Sequence, residues 1–293
     1  MNRRDFFRTV ALAAIASRAT SLNQLLAADV PLDENIVAIF SDAHIWGPET
    51  VQQVVRFNQC VAKVLAMNPR PANLLIYGDL AYSHGEIENY ELLRKLLNPI
   101  EDAGIRWEVA MGNHDRLENY RKIFPERFKE AQPIDGKYIN IVNTPHADFI
   151  LLDSYLEGEV RGEICPEQQK WLVETLKEYT EKPVFVGCHH QLSDTKIGDL
   201  LKACPKFVAY LHGHQHYYRS PVEDGVKTIC FPSVGHWGDM GFATAFLTDK
   251  EATFVPDIDE YLWSKYGYVP ESEKEVENYL KELNNNSPSF ILP

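Results

Sequence analysis

Five apolar runs in this chain end on a carboxylate, an amide or an imidazole, and that placement limits its fold more than any other feature. The runs are "IVAIF" before Asp42 and His44, "LLIY" before Gly78 and Asp79, "WEVAM" before Asn113, His114 and Asp115, "VFVGC" before His189 and His190, and "FVAYL" before His212, His214 and His216. Such runs, apolar without alternation, read as strands buried on both faces. A charge at the mouth of such a core loses hydration unless it is paired or held by a metal ion. In open α/β sheets, ligands gather outside the carboxyl ends of the strands. Five ends of this kind point to one convergent site.

The segments between the runs support that architecture. "ETVQQVVRFNQCVAKVLAMN" places Val51, Val54, Val55, Val61, Val64 and Leu65 at helical spacing. "EIENYELLRKLLNPI" reads as a second helix ended by Pro99, and "RLENYRKIF" as a third. Strand then helix, repeated, is the signature of right-handed crossover units around a sheet. "YINIV" and "DFILLD" read as neighbouring strands joined by the turn "NTPHA". "PEQQKWLVETLKEY" is a helix with Pro166 in its first turn, and another helix is expected around "DTKIGDLLKAC". Beyond residue 216 the chain is strand-rich, and it closes with a charged surface helix and an extended end. The expected fold is α/β: a four-layer αββα sandwich of two mixed sheets flanked by helices, formed by residues 30–293.

The residue types narrow the chemistry. Oxygen and imidazole donors without thiolate suit Zn, Mn or Fe. Asp42-x-His44 and His214-x-His216 alternate, which on an extended segment puts both side chains on one side. Gly78, Gly112 and Gly213 sit where sharp turns would bring backbone close to a metal. Two cations sharing a carboxylate would keep Asp79 charged at the mouth of the core.

As a set, Asp42-x-His44, Gly78-Asp79, Gly112-Asn113-His114-Asp115, His189 and Gly213-His214-x-His216 resemble the motifs of the calcineurin-like metallophosphoesterase family, over about residues 36–216. Within it, the pattern is most similar to the bacterial cyclic-nucleotide and glycerophosphodiester phosphodiesterases. The resemblance implies that Asp42, His44 and His216 hold one metal ion, that Asn113, His189 and His214 hold a second, and that Asp79 bridges them. It implies attack on phosphorus by a metal-bridging hydroxide. His114 would approach the leaving or a phosphate oxygen, and Asp115 would orient or tune it. Of the adjacent His189 and His190 one should face the metal, and the spacing Val186-x-x-His189 favours the first. Tyr82 gives Gly-Asp-x-x-Tyr, similar to purple acid phosphatases, where that tyrosine binds ferric iron; those enzymes usually lack the histidine that is here His44, so Tyr82 reads as metal ligand or as pocket wall. His84, His236 and Trp237 are candidates to face substrate, and His212 reads as a core histidine.

Composition bounds the function classes. Of the 293 residues, 45% are hydrophobic and 24% charged, so a globular core is expected. A formal charge of −13 argues against a protein that coats nucleic acid, but not against a small phosphate ester, because bound metals reverse the sign locally. The five cysteines form no Cys-x-x-Cys pair, and an odd number leaves at least one free. Residues 1–29, with Arg3, Arg4 and a short apolar run, resemble a twin-arginine export signal, which implies a periplasmic or cell-surface protein. No stretch is long and apolar enough for a membrane span. The leading expectation is a dinuclear hydrolase of phosphate esters, phosphodiesters first. An exported acid-phosphatase-like monoesterase and a non-catalytic ligand-binding member of the fold are the alternatives.

Overall fold

The first apolar run shows how all of them are used. In strand β1 (Leu32–Phe40), Val37 and Ile39 point into one apolar cluster while Ala38 and Phe40 point into another. Strand β2 (Arg70–Tyr77) repeats the division, with Leu75 and Tyr77 on one side and Leu74 and Ile76 on the other. A strand with a core on each face has no polar side to show, so its sequence does not alternate. Burial of each large apolar side chain contributes about 1.5–3 kcal/mol.

The computed structural model describes residues 29–129, 132–262 and 272–293. The export signal expected over residues 1–29 lies, but for Asp29, outside them. The first sheet has the order β12-β11-β10-β1-β2-β3, with β3 at Arg106–Ala110, β10 at Gly238–Leu247, β11 at Glu251–Leu262 and β12 at Ser289–Ile291. Strands β1, β2 and β3 run parallel, and β10, β11 and β12 continue antiparallel. The second sheet has the order β4-β5-β6-β7-β9-β8, from β4 (Asn140–Asn143), β5 (Asp148–Leu151), β6 (Val184–Gly187), β7 (Phe207–His212), β8 (Val222–Glu223) and β9 (Val226–Cys230). Here β5, β6, β7 and β9 are parallel, and β4 and β8 pair antiparallel at the two edges. Both sheets are mixed, as expected.

The two sheets pack face to face through Val37, Ile39, Leu75, Tyr77, Phe185 and Phe254. Helices α1 (Gln52–Ala66) and α2 (Ile87–Asp102) cover the outer face of the first sheet through Phe57, Val61 and Leu93. Helix α3 (Leu117–Ile123) adds the buried Tyr120 to the same layer. Helix α4 (Pro166–Glu178) covers the second sheet through Leu172 and Leu176. The layers are therefore α, β, β and α. All five cysteines are free, four of them buried, in keeping with small apolar fillers.

Two local expectations are corrected, and the expected chain end is found. Pro99 does not end α2; the helix runs to Asp102 with the proline in its last turn. There a proline removes a single backbone donor, and Gly104, at φ +76°, makes the turn that stops the helix while the Ile105 N–H donates to the Ile100 carbonyl at 3.1 Å. The helix expected around residues 194–204 is two short ones, α5 (Leu192–Thr195) and α6 (Gly198–Lys202), parted by Lys196 at φ +55°. The extended end pairs with β11 as β12 and closes the first sheet, while the tail helix α7 (Glu273–Asn285), with no buried residue, lies against β11. Among the described residues, no helix is long and apolar enough to cross a membrane.

Candidate metal centre

Beyond the sheets the loops keep pairing, and this draws the strand ends together. After β1 and β2, the Asp42 N–H donates to the Gly78 carbonyl at 3.1 Å and the His44 N–H to the Asp79 carbonyl at 2.9 Å. The second sheet joins through His189, whose Nδ1–H donates to the Tyr77 carbonyl at 2.7 Å. The Gly213 N–H donates to the His189 carbonyl at 3.0 Å, and the His214 N–H reaches both Asp42 oxygens at 3.2 and 3.1 Å. One cavity of about 480 Å³ is bordered by His44, Asp79, Asn113, His114, His214 and His216.

Two histidine pairs face each other across two carboxylates. His44 Nε2 lies 3.3 Å from His216 Nε2, and His189 Nε2 lies 3.2 Å from His214 Nδ1. Asp79 Oδ2 stands between the pairs, 3.2 Å from His189 Nε2 and 3.6 Å from His44 Nε2. Asp42 Oδ1 is 3.2 Å from His216 Nε2 and 4.0 Å from both His44 and His189. Burial raises both carboxyl groups, but His216 and His189 outweigh it at Asp42, and His189 and His44 at Asp79, so both fall well below the usual carboxylate range. Burial drives His44 well below its ordinary value and His214 down to about 4, the latter aided by His189. At His189 burial is outweighed by Asp79 and Asp42, and its imidazole is pushed up to about 9.

This donor set fits metal ions. The Tyr77 carbonyl takes the Nδ1 proton of His189, and the Trp237 carbonyl takes that of His216 at 2.9 Å, so both rings turn Nε2 inward. Imidazole nitrogens and carboxylate oxygens then converge at 3.2–3.3 Å, an arrangement that positive charge among them stabilises. Asn113 Oδ1 is a buried acceptor with no partner among the described residues. Ligand atoms of Asp42, His44, Asp79 and His216 all lie within 4.8 Å of one another, as do those of His189, His190 and His214. His190 differs from the rest. Its Nδ1 is engaged by the Ser154 hydroxyl at 2.8 Å and its Nε2–H by the Val160 carbonyl at 3.0 Å, which leaves His189 as the neighbour with a nitrogen aimed inward. His190 instead ties the loop of residues 154–160 to the site.

The backbone route to the site corrects the extended-segment expectation. Asp42 (φ +53°), His44 (+46°), Asp79 (+49°), His214 (+68°) and His216 (+60°) all adopt left-handed backbone. Side-chain alternation along a strand is therefore not what aims Asp42 with His44, or His214 with His216. Each such residue costs on the order of 1–3 kcal/mol and persists only where its surroundings over-determine it. Gly78 takes the turn expected of it, at φ +79°. Gly112 serves close approach instead: a Cβ there would stand 2.2 Å from Asp79 Oδ1 and 2.3 Å from the Asp79 nitrogen. Gly112→Ala is expected to destabilise the fold by about 1–3 kcal/mol, read as a lower urea midpoint, because the overpacking falls on backbone.

His114 and Asp115 divide their work differently from the sequence expectation. The His114 N–H donates to Asp79 Oδ1 at 2.9 Å, and its Nδ1–H donates to the Ser83 carbonyl at 2.8 Å. The Asp115 carboxylate is turned away. It accepts from the backbone of Leu80, Ala81 and Gly112 and from the Tyr90 hydroxyl at 2.9 Å. Burial and the Asp79 charge push it up to about 6. Asp115 therefore positions the loop, and the Ser83 carbonyl orients the imidazole.

Of the remaining candidates, His236 and Trp237 border the cavity. Tyr82 stacks on Trp46 at 5.4 Å and meets the His44 ring edge-on at 6.3 Å. His236 lies 4.5 Å from the His44 ring, and Trp237 stacks on His216 at 4.1 Å. His84 is exposed, and His212 is buried. Sequence reasoning passed over Gln191, Gln215 and Arg219, which also border the cavity and carry no local motif.

A basin of ionised carboxylates and inward imidazoles, set where the ends of two sheets meet, marks a metal-dependent protein of the αββα class. The sequence signature of the calcineurin-like phosphoesterase family matches residues 36–218. The chain belongs to that family. It is 25% identical over 234 residues to a probable cyclic nucleotide phosphodiesterase of Rhodococcus erythropolis, covering 73% of this chain and 75% of that protein. It is 26% identical over 242 residues to a cAMP/cGMP dual specificity phosphodiesterase of Mycobacterium tuberculosis, covering 76% and 74%. A dimetal phosphatase from Danio rerio shares the fold, with a TM-score of 0.61 and 15% identity over 75% of this chain and 95% of that one.

Proposed function

We propose that the protein hydrolyses phosphodiesters in preference to monoesters, with Asp42, His44 and His216 holding one metal ion, Asn113, His189 and His214 a second, and Asp79 shared. The observation that carries this reading is Asp79 Oδ2, 3.2 Å from one histidine pair and 3.6 Å from the other. Two divalent ions (Mn, Fe or Zn), when bound, supply charge neutralisation at phosphorus and lower the pKa of the attacking water. The chain's own residues do the rest. The carboxylates and imidazoles set the spacing of the site, and His114, with Nδ1 tied to Ser83, is left with Nε2 to protonate the leaving oxygen.

The diester preference is supported by the two bacterial relatives, both named as phosphodiesterases, and by a cavity of about 480 Å³, far larger than a phosphate group. With Mn²⁺ added, kcat/KM for bis(p-nitrophenyl) phosphate is expected to exceed that for p-nitrophenyl phosphate at least tenfold; a preference for the monoester would reverse the ordering and favour the acid-phosphatase-like alternative. Export by the twin-arginine-like segment of residues 1–29 is part of the same reading. It is checked by the N-terminus of the protein recovered from the periplasm.

A further inference from the structure

The tail helix α7 carries no residue that borders the cavity, yet one of its side chains begins a chain of contacts that ends at His216. Tyr279 Oη donates to Asp239 Oδ1 at 2.9 Å. The other oxygen of Asp239 accepts the Tyr218 N–H at 2.8 Å, and the Asp239 N–H donates to the His216 carbonyl at 2.8 Å. Asp239 is 0% exposed, so neither oxygen has water to fall back on. The residues before it complete the grip. The Trp237 carbonyl holds His216 Nδ1, its ring stacks on the imidazole, and Gly238 comes so close that a Cβ would stand 2.4 Å from the His216 carbonyl oxygen. His216 itself is left-handed, at φ +60°.

We propose that Tyr279, acting through Asp239, is a positioning residue for His216, so that the C-terminal helix sets the affinity of one of the two metal positions. The inference rests on reading His216 as a metal ligand. A left-handed residue between two partners relaxes unless it is clamped from outside. The clamp here is Asp239, with its N–H on the His216 carbonyl and its carboxylate on the Tyr218 N–H, and the orientation of the carboxylate depends on both of its oxygens being satisfied. Removing the Tyr279 hydroxyl leaves one oxygen of a buried carboxylate without its donor, and the carboxylate can turn to find another. The Tyr218 N–H bond then loosens, and the backbone of residues 216–218 with it. Partners one shell out from a metal ligand typically contribute 10–100-fold to metal affinity. A partner one contact further out is expected near the lower end.

A second attachment of the same helix provides the control. Asn284 clasps Ile258 on β11, its Oδ1 accepting the N–H and its Nδ2 donating to the carbonyl, both at 2.8 Å, without touching Asp239. The test is calorimetric titration of the full chain with Mn²⁺, alongside electron paramagnetic resonance of the bound ion, for the wild type, Tyr279→Phe, Asp239→Asn and Asn284→Ala. The wild type is expected to take two ions. Tyr279→Phe and Asp239→Asn should each weaken one of them about tenfold and leave the other alone. Asn284→Ala should lower the melting temperature but keep both affinities. Unchanged affinities in folded Tyr279→Phe and Asp239→Asn, or an equal loss in Asn284→Ala, would overturn the proposal. A wild type that binds no metal would instead sink the metal-centre reading beneath it, and this inference with it.

Discussion

Asp79→Asn is expected to remove at least one metal ion per chain and to lower turnover on a phosphodiester by on the order of three powers of ten. The carboxylate sits between the two histidine pairs, with Oδ2 at 3.2 and 3.6 Å from their nearest nitrogens, so in the proposed arrangement one charge serves both metal positions. An amide is nearly the same size but neutral, and its NH₂ group is a donor where an acceptor is required. The loss therefore falls on metal affinity and on charge stabilisation together. Removal of a single electrostatic group at a reacting centre already lowers rate about 10²–10³-fold. The fold should survive, because the shape is kept and Oδ1 can still accept the His114 N–H, now at 2.9 Å. Metal content by elemental analysis and kcat on one preparation decide the matter. A variant that keeps two ions and full rate would remove Asp79 from the centre.

What could be read from the chain follows from which physical terms are local. The apolar runs were legible because strands covered on both faces must be continuously apolar, and the polar residues closing them stood out by contrast. Identity and order of the candidate ligands came with the motifs. Aim did not. His189 and His190 are chemically identical neighbours, and they are separated by distant partners: the Tyr77 carbonyl for one, Ser154 and Val160 for the other. Asp115 looked like an aid to His114 because it is adjacent, whereas four donors from three segments turn it away from the ring. The left-handed backbone of Asp42, His44, Asp79, His214 and His216 was equally hidden. Asp, Asn and His tolerate that conformation better than most residues, so their presence is compatible with it without announcing it. The helix end at Gly104 was misplaced onto Pro99 because a proline in the last turn forfeits only one donor.

That hidden strain bears on catalysis. Five left-handed residues at one site represent several kcal/mol of conformational energy that the sheets, the loop-to-loop hydrogen bonds and the clamp on His216 hold in place. The candidate ligands are therefore aimed by the fold itself. In the proposed mechanism His114 serves for proton transfer. Its backbone N–H is spent on Asp79 Oδ1, its Nδ1–H on Ser83, and its ring lies 5.1 Å from that of His44, on the cavity wall.

His114→Ala should therefore keep both metal ions and lose about two to four powers of ten in kcat, the usual contribution of a general acid or base. The backbone bond to Asp79 survives the substitution, so the metal positions are not disturbed through that contact. The size of the loss should depend on the leaving group. A p-nitrophenolate departs without help, so its diester should lose least; an alkyl alkoxide needs a proton as the bond to phosphorus breaks, so its diester should lose most. Rates for a series of diesters with leaving groups of rising basicity, measured on wild type and variant at equal metal content, give two slopes. A steeper slope in the variant identifies His114 as the proton donor. Parallel slopes with a uniform loss would assign it to holding the phosphate oxygens instead, and a loss of metal would make it a structural neighbour of Asp79.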